Sequence, residues 1–281
     1  MTNSVSGPGD GLTRAIEVLL ESPERDPADV LRSLGVDTPE NRKFVAFLRD
    51  AALFSVSASG ALPRDVERIE AGTLVLGGRF RIDGVLGQGG MGTVYRATDT
   101  TLQRPVALKV TSVAGVSNDD RVVLLERFVS EARIAGRLGH PGIVPVHELG
   151  VHTDGEAYLI MRLIEGTTLA AAVGAAGEAP AFSEREAVGI VVRICDALAF
   201  AHDAGVLHLD LKPSNVMVGR FGEVQVMDWG LAEESGSVER APAVRASSDI
   251  WTETASGKFI GTPSYLSPEQ AVADRARFGP C

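Results

Sequence analysis

HLDLKPSN, residues 208–215, places a carboxylate (Asp210), an ammonium (Lys212) and an amide (Asn215) within eight residues. Pro213 stiffens the segment between them, because its ring fixes φ. Thirteen residues after Asn215 a second carboxylate, Asp228, stands in the turn Asp228-Trp229-Gly230. Either piece alone reads as a polar surface loop or a tight turn. Together, two acids, one amide and one lysine make a kit for a proton acceptor beside a divalent metal carrying phosphate.

The upstream residues extend that reading. Residues 79–86 have strand character and lead into Gly87-Gln88-Gly89-Gly90-Met91-Gly92, and 93–97 lead out. A G-x-G-x-x-G also begins dinucleotide-binding folds, so an oxidoreductase is a competing class. That competing fold opens a helix after its glycines. Here the strand formers Thr93, Val94 and Tyr95 follow instead. The expected shape is a hairpin folded over a ligand, with backbone amides close to phosphate oxygens because no Cβ intervenes. Lys109 interrupts the apolar strand Val106-Ala107-Leu108-Lys109-Val110, seventeen residues past Gly92. A lone lysine there is ordinarily a solvated edge residue; the preceding glycine loop makes phosphate its better target.

Phe128, Ala132, Ala135 and Leu138 predict a helix over 118–138 that carries Glu131, with Glu126 as the competing carboxylate. Residues 143–149 and 158–164 read as strands, with Gly155-Glu156 turning between them. Residues 183–202 read as a long helix. Ser183 and Glu186 form its capping box, and Ala187, Ile190, Val191, Ile194, Leu198 and Ala201 its buried stripe. Short strands at 216–218 and 223–226 are expected to bring Asn215 and Asp228 near each other.

HLDLKPSN followed by Asp228-Trp229-Gly230 resembles the catalytic loop and metal-binding turn of the protein kinases. The joint set is similar to bacterial Ser/Thr kinases of the eukaryotic-like type, over about Arg79 to Gln270. The resemblance implies an α+β, two-lobed protein-kinase-like fold. A small antiparallel β lobe with helix C spans about 79–163, and a mainly helical, incomplete large lobe about 164–281. A helical segment over 1–70, of no assigned role, precedes them.

The implied activity is ATP-dependent phosphoryl transfer to serine or threonine of protein substrates, with ATP and Mg²⁺ as cofactors. A nucleotide-binding pseudokinase-like scaffold, or an inactive fragment, is the alternative. By resemblance Asp210 accepts or orients the substrate proton and Lys212 neutralises the transferring group. Asn215 and Asp228 hold the metal, and Lys109, steered by Glu131, grips the α/β-phosphates. Thr262, in Gly-Thr-Pro-Ser-Tyr, matches the threonine that lies against the catalytic Asp and Lys in Ser/Thr kinases. The nucleotide site would draw on Leu86, Gly87, Gln88, Gly89, Gly90, Met91, Gly92, Val94, Ala107, Lys109, Met161 and Ile164. Met161 takes the gatekeeper position and 162–164 the hinge, where Arg162 departs from the usual acid. Ser267-Pro268-Glu269 resembles the end of the activation segment.

Further departures stand out. Leu209 replaces the arginine that receives a phosphorylated activation loop, so activity is expected not to depend on loop phosphate. Trp229 replaces phenylalanine, one large aromatic for another. Residues 233–258 are long, polar and Ser/Thr-rich. A mobile loop is the default reading there, with Ser247, Ser248, Thr252, Thr254 and Ser256 as possible phosphosites. Kinases also continue beyond the point where this chain stops, at Cys281. A truncated catalytic domain is therefore expected, weakly stable and poorly active, with the stripe of Ile190, Ile194 and Leu198 partly uncovered. A monomer with a cooperative melt and robust transfer would overturn that.

Composition sets the remaining bounds. With 44% hydrophobic residues in 281, the chain can bury a sizeable core. A net charge of −10 offers no basic patch for nucleic acid. No apolar run approaches the ~18 residues of a membrane span. Two cysteines, Cys195 and Cys281, make a disulfide framework improbable and suit a reducing cytoplasm. Residues 10–20, 26–35 and 38–51 read as three short helices without chemistry, the last with Phe44, Phe47, Leu48 and Ala51 on one face. Residues 55–63 are a Ser/Ala/Gly-rich break. Oligomeric state and substrate are open.

Overall fold

The computed structural model describes residues 8–22, 24–50, 69–89, 92–111, 118–151, 156–174, 181–234, 251–254, 257–272 and 277–279. Contacts divide the chain into two units, Met1–Val129 with His147–Met161, and Ser130–Val146 with Arg162–Cys281.

The first unit opens with helices α1 (Pro8–Glu21), α2 (Pro27–Ser33) and α3 (Pro39–Asp50). Asp26 caps α2 by accepting from Ala28 N at 2.9 Å, and Pro27 suits the first turn because it has no N–H to leave unpaired. Leu12, Ala15, Ile16 and Leu19 of α1 are buried at helical spacing, as are Val30, Leu31, Phe44 and Val45 in the next two helices. A β-carbon on Gly11 would come within 2.4 Å of Val36 Cγ1, so glycine permits this close packing. The face expected for α3 is described only at Phe44, since Phe47, Leu48 and Ala51 fall outside the described side chains.

A six-stranded sheet follows: β1 (Leu74–Val75), β2 (Phe80–Gly89), β3 (Gly92–Asp99), β4 (Arg104–Val110), β5 (Val146–Val151) and β6 (Ala157–Arg162), in the order β1-β2-β3-β4-β6-β5. Antiparallel pairing of β2 with β3 carries the glycine stretch as a hairpin, with Gly89 opposite Gly92. Phe80, Ile82, Tyr95, Ala97, Val106, Leu108, Val110, Tyr158 and Ile160 form one buried cluster. Alternation decides which side chains reach it: Phe80 and Ile82 are buried on either side of exposed Arg81. Gly92 has φ 135°, and a β-carbon there would lie 1.9 Å from Val110 O, so only glycine fits.

Helix α4 (Asn118–Arg137) comes between β4 and β5. Strand β5 begins at Val146, later than expected, because Ile143 makes an isolated parallel bridge with Val226. Strand β6 ends at Arg162, whose N–H donates to Pro145 O at 3.0 Å. Gly155 of the expected turn lies outside the described residues.

The second unit contains β7 (Gly166–Thr168), α5 (Leu169–Val173), α6 (Glu184–Asp203), β8 (Val206–Leu207), β9 (Val216–Gly219), β10 (Val224–Val226), β11 (Glu233–Glu234), β12 (Trp251–Thr254), β13 (Gly257–Ile260) and α7 (Pro268–Ala271). Strands β10-β9-β7 form one small sheet. β12 pairs with β13 within the segment expected to be a mobile loop. Ser247, Ser248 and Ser256 lie outside the described residues, as do the side chains of Thr252 and Thr254.

Helix α6 starts at the expected capping box, Ser183 with Glu186. Its buried stripe is Ile190, Ile194, Ala197 and Ala201, packed with Val216, Val218, Val224, Val226 and Trp229. Ala187 is exposed, and Val191 is 54% exposed. The expected stripe thus reaches too far round the helix, taking in Ala187 and Val191 and leaving out Ala197. Ile190 and Ile194, expected to be partly uncovered, are 6% and 8% exposed, and only Leu198 is half-buried.

Candidate active site

The segment between β8 and β9 holds the site together. Asp210 is 9% exposed, and both carboxylate oxygens are occupied. Oδ1 accepts from Thr262 N at 3.0 Å and from Thr262 Oγ1 at 2.7 Å. Oδ2 accepts from Lys212 Nζ at 2.7 Å and from Asn215 Nδ2 at 3.3 Å. Lys212 Nζ also donates to Thr262 Oγ1 at 2.8 Å. One ammonium thus bridges a carboxylate and a hydroxyl, and the hydroxyl donates its own proton to that carboxylate. These charge-assisted bonds are the strong kind, and they fix the carboxylate's orientation.

Asn215 sits in the 3₁₀ turn Pro213–Asn215 and is buried. Its Nδ2 also donates to Asp210 O at 2.9 Å, which leaves the amide oxygen as the atom able to serve a cation. Met227 N donates to Asn215 O at 2.8 Å, so the residue next to Asp228 is tied directly to the catalytic-type loop. The expected convergence of Asn215 and the Asp228 turn is present through the β9–β10 pair. Asp228 itself is exposed, with φ 60°, and Leu209 has φ 61°. Left-handed backbone at two non-glycine residues flanking one site is strain of ~1–3 kcal/mol each, kept only where the surroundings impose it. Among the described residues no group of three or more His, Cys, Asp or Glu side chains is gathered as a metal site. An amide oxygen and one carboxylate suit Mg²⁺, which keeps several waters and takes phosphate oxygens as further ligands.

His208 is a hub whose importance the sequence did not signal. Its Nε2 lies 3.0 Å from Met227 O, and its Nδ1 accepts from Asp210 N at 3.3 Å. That pairing makes it neutral with the proton on Nε2, and its ring centroid is 4.7 Å from that of Trp229. Burial holds its pKa below the ordinary 6.5, against smaller upward pulls from the Met227 carbonyl, Asp228 and Asp210. In the unfolded chain the imidazole takes a proton at higher pH than in the folded one. Stability from this group is therefore full above pH 6.5 and is lost as pH falls from there toward the lower folded value. The slope is at most about 1.4 kcal/mol per pH unit. In denaturant titrations at pH 7.5 and 5.5, taken as about one unit either side of the free imidazole value, His208→Gln is expected to lose less stability than the wild type. Equal losses would show that His208 does not titrate in this way.

Most of the remaining expected residues lie on the first unit's sheet, while Glu131 and Ile164 belong to the second unit. Leu86, Gly87, Gln88 and Gly89 form the exposed end of β2, while Gly90 and Met91 lie outside the described residues. Val94 is the register partner of both Gly87 and Lys109, so the side chains of Val94 and Lys109 share one face of the sheet. Ala107 and Lys109 point away from the Val106, Leu108 and Val110 face of β4. Ala107 is buried, and the half-buried Lys109 places its ammonium 5.6 Å from the Phe128 ring centroid. That is within reach of a cation–π attraction. Glu131 is buried on α4, whereas Glu126 is half-buried. Met161 is half-buried near the end of β6, and Ile164 is half-buried just beyond it.

A sheet with a glycine hairpin, a lysine strand and this Asp-Lys-Asn-Thr cluster define the protein kinase class, and the chain belongs to it: the protein kinase domain family matches residues 80–277. It is 40% identical over 202 residues to the probable serine/threonine-protein kinase PknB of Corynebacterium glutamicum, covering 71% of this chain and 29% of the relative. It is 36% identical over 207 residues to the serine/threonine-protein kinase PknA of Mycobacterium tuberculosis, covering 72% of this chain and 44% of the relative. Likeness to the serine/threonine-protein kinase PknD of Chlamydia pneumoniae is 36% over 209 residues, or 70% of this chain and 22% of the relative. The chain thus spans less than half the length of each of these relatives. Among the described residues no helix is long and apolar enough to cross a membrane. Cys195 is a free, exposed thiol, and Cys281 lies outside the described residues.

Proposed function

We propose that this chain transfers the γ-phosphoryl group of ATP to serine or threonine hydroxyls of protein substrates. The observation that carries the reading is the Asp210–Thr262–Lys212 triangle, with sides of 2.7, 2.8 and 2.7 Å. An aliphatic hydroxyl there gives its proton to the carboxylate while its oxygen receives a hydrogen bond from the ammonium. A substrate hydroxyl attacking phosphorus needs the same two partners.

In this reading Asp210 orients the incoming hydroxyl and takes its proton. Lys212 lies on the oxygen side and offsets the charge that grows there. The oxygens of Asn215 and Asp228 would hold Mg²⁺, which when bound neutralises the phosphates. Lys109 is assigned to the α/β-phosphates and Glu131 to the lysine. Leu86, Gly87, Gln88, Gly89, Gly90, Met91, Gly92 and Val94 are assigned to the phosphate-covering hairpin, and Ala107, Met161 and Ile164 to the adenine. The cytoplasm, where ATP is supplied and Cys195 stays reduced, is where we place it.

The test is magnesium-dependent transfer of labelled γ-phosphate to the chain itself and to a generic Ser/Thr protein substrate, beside nucleotide binding. Nucleotide binding without transfer would instead mark a scaffold. Because Leu209 cannot hold a phosphate, phosphatase-treated chain is expected to keep its transfer rate within about twofold, since no charge-assisted tether is lost. A large fall on dephosphorylation, reversed by rephosphorylation, would contradict this.

A further inference from the structure

The catalytic-type loop has a second tether, which the family motifs do not name. Leu209, one residue before Asp210, has φ 61°, a conformation that residues with a β-carbon rarely adopt. Its carbonyl accepts from Gln270 Nε2 at 2.7 Å, across 61 residues of chain. Gln270 is 8% exposed. Its Oε1 accepts from Ser267 N at 3.1 Å, and its own N donates to Ser267 Oγ at 3.4 Å. The two bonds of the amide settle which end faces Leu209. Gly261 completes the packing: with φ 116°, a β-carbon on it would lie 2.9 Å from Leu209 O and 2.7 Å from Leu266 Cδ2.

We propose that Gln270 is a positioning residue for Asp210. Its amide clamps the Leu209 carbonyl, holds the left-handed turn and thereby aims the carboxylate at Thr262, Lys212 and Asn215. The clamp is neutral and acts on backbone, so it orders the loop against residues 261–270 without any charged side chain at position 209. This rests on the kinase reading of the same site.

The experiment compares wild type with Gln270→Met and Gln270→Glu in the 281-residue chain. Methionine keeps the length without the donor. Glutamate keeps the acceptor for Ser267 N but sets an anion against a carbonyl, and it preserves the capping box should methionine fail to fold. Transfer kcat is expected to fall about tenfold in either variant, with KM for MgATP unchanged within about twofold, as for an interaction felt at the reacting carboxylate. The Gln270→Glu deficit should shrink as pH is lowered from about 8 to about 6, because a buried carboxyl facing a carbonyl protonates early and can then donate. A purely structural defect would not recover this way. Wild-type kcat in both variants, or a parallel rise of KM for MgATP, overturns the proposal. Amide exchange gives an arm independent of turnover. Faster exchange confined to 206–212 sustains the clamp even if the wild type transfers no phosphate and the kinase reading fails. Unchanged exchange there overturns it.

Discussion

Asp210→Asn is expected to lower phosphoryl transfer by about 10³-fold if Asp210 is the proposed general base, within the range a positioned base supplies, with nucleotide affinity near the wild-type value. The substitution is nearly isosteric, so the loss reports chemistry. Asparagine offers one acceptor oxygen where the carboxylate offers two. If that oxygen faces the Thr262 N–H and hydroxyl, the new NH₂ group meets the Lys212 ammonium and the Asn215 amide, donor against donor. If it faces Lys212, the Thr262 donors lose their partner instead. Either way the proton acceptor is gone and the triangle opens. The readout is single-turnover transfer beside a nucleotide titration. A variant that kept a tenth of the rate would remove Asp210 from the proton's path.

Trp229→Ala is expected to destabilise the chain by about 3–5 kcal/mol, the usual cost of emptying a large aromatic site. Trp229 is 2% exposed, within the core made by Ile143, Ile190, Ile194, Val224 and Val226 among others. It also packs at a tilt against His208 and anchors the chain beside the strained Asp228. Trp229→Phe should cost less than half as much. Phenylalanine fills much of the space and deletes an indole N–H that, among the described residues, is buried without an acceptor. An unpaired buried donor carries a desolvation cost that its removal recovers. Urea unfolding with an unchanged m-value is the measurement. Near-equal losses for the two variants would mean that the indole nitrogen is paired in solution.

The two substitutions probe different links of one chain of cause. Trp229 acts through packing: it fixes where the backbone of Asp228 runs, and so where the carboxylate proposed to hold the metal stands. Asp210 acts through hydrogen-bond geometry, with Thr262, Lys212 and Asn215, at the site proposed for the reacting atoms. His208 joins the two, bonded on one nitrogen to Met227 O and on the other to Asp210 N. Its neutral, buried state is what lets one ring serve both partners.

Local chemistry was legible from residue order wherever a short stretch carries its own instruction. The glycine hairpin, the lysine strand, the Ser183–Glu186 box and the Asp210–Asn215 loop follow from neighbours a few residues apart, because backbone propensity and capping act at that range. Tertiary structure alone decided three things. Which arc of α6 is buried depended on the small sheet packed against it: Val188, Val191 and Val192 are as apolar as Ile190 and Ile194 yet stay exposed. Strand β7 is too short to show a period and exists through pairing with β9. The clamp of Gln270 on Leu209 joins residues far apart in sequence, and no periodicity encodes a hydrogen bond that forms only once the chain has folded back on itself.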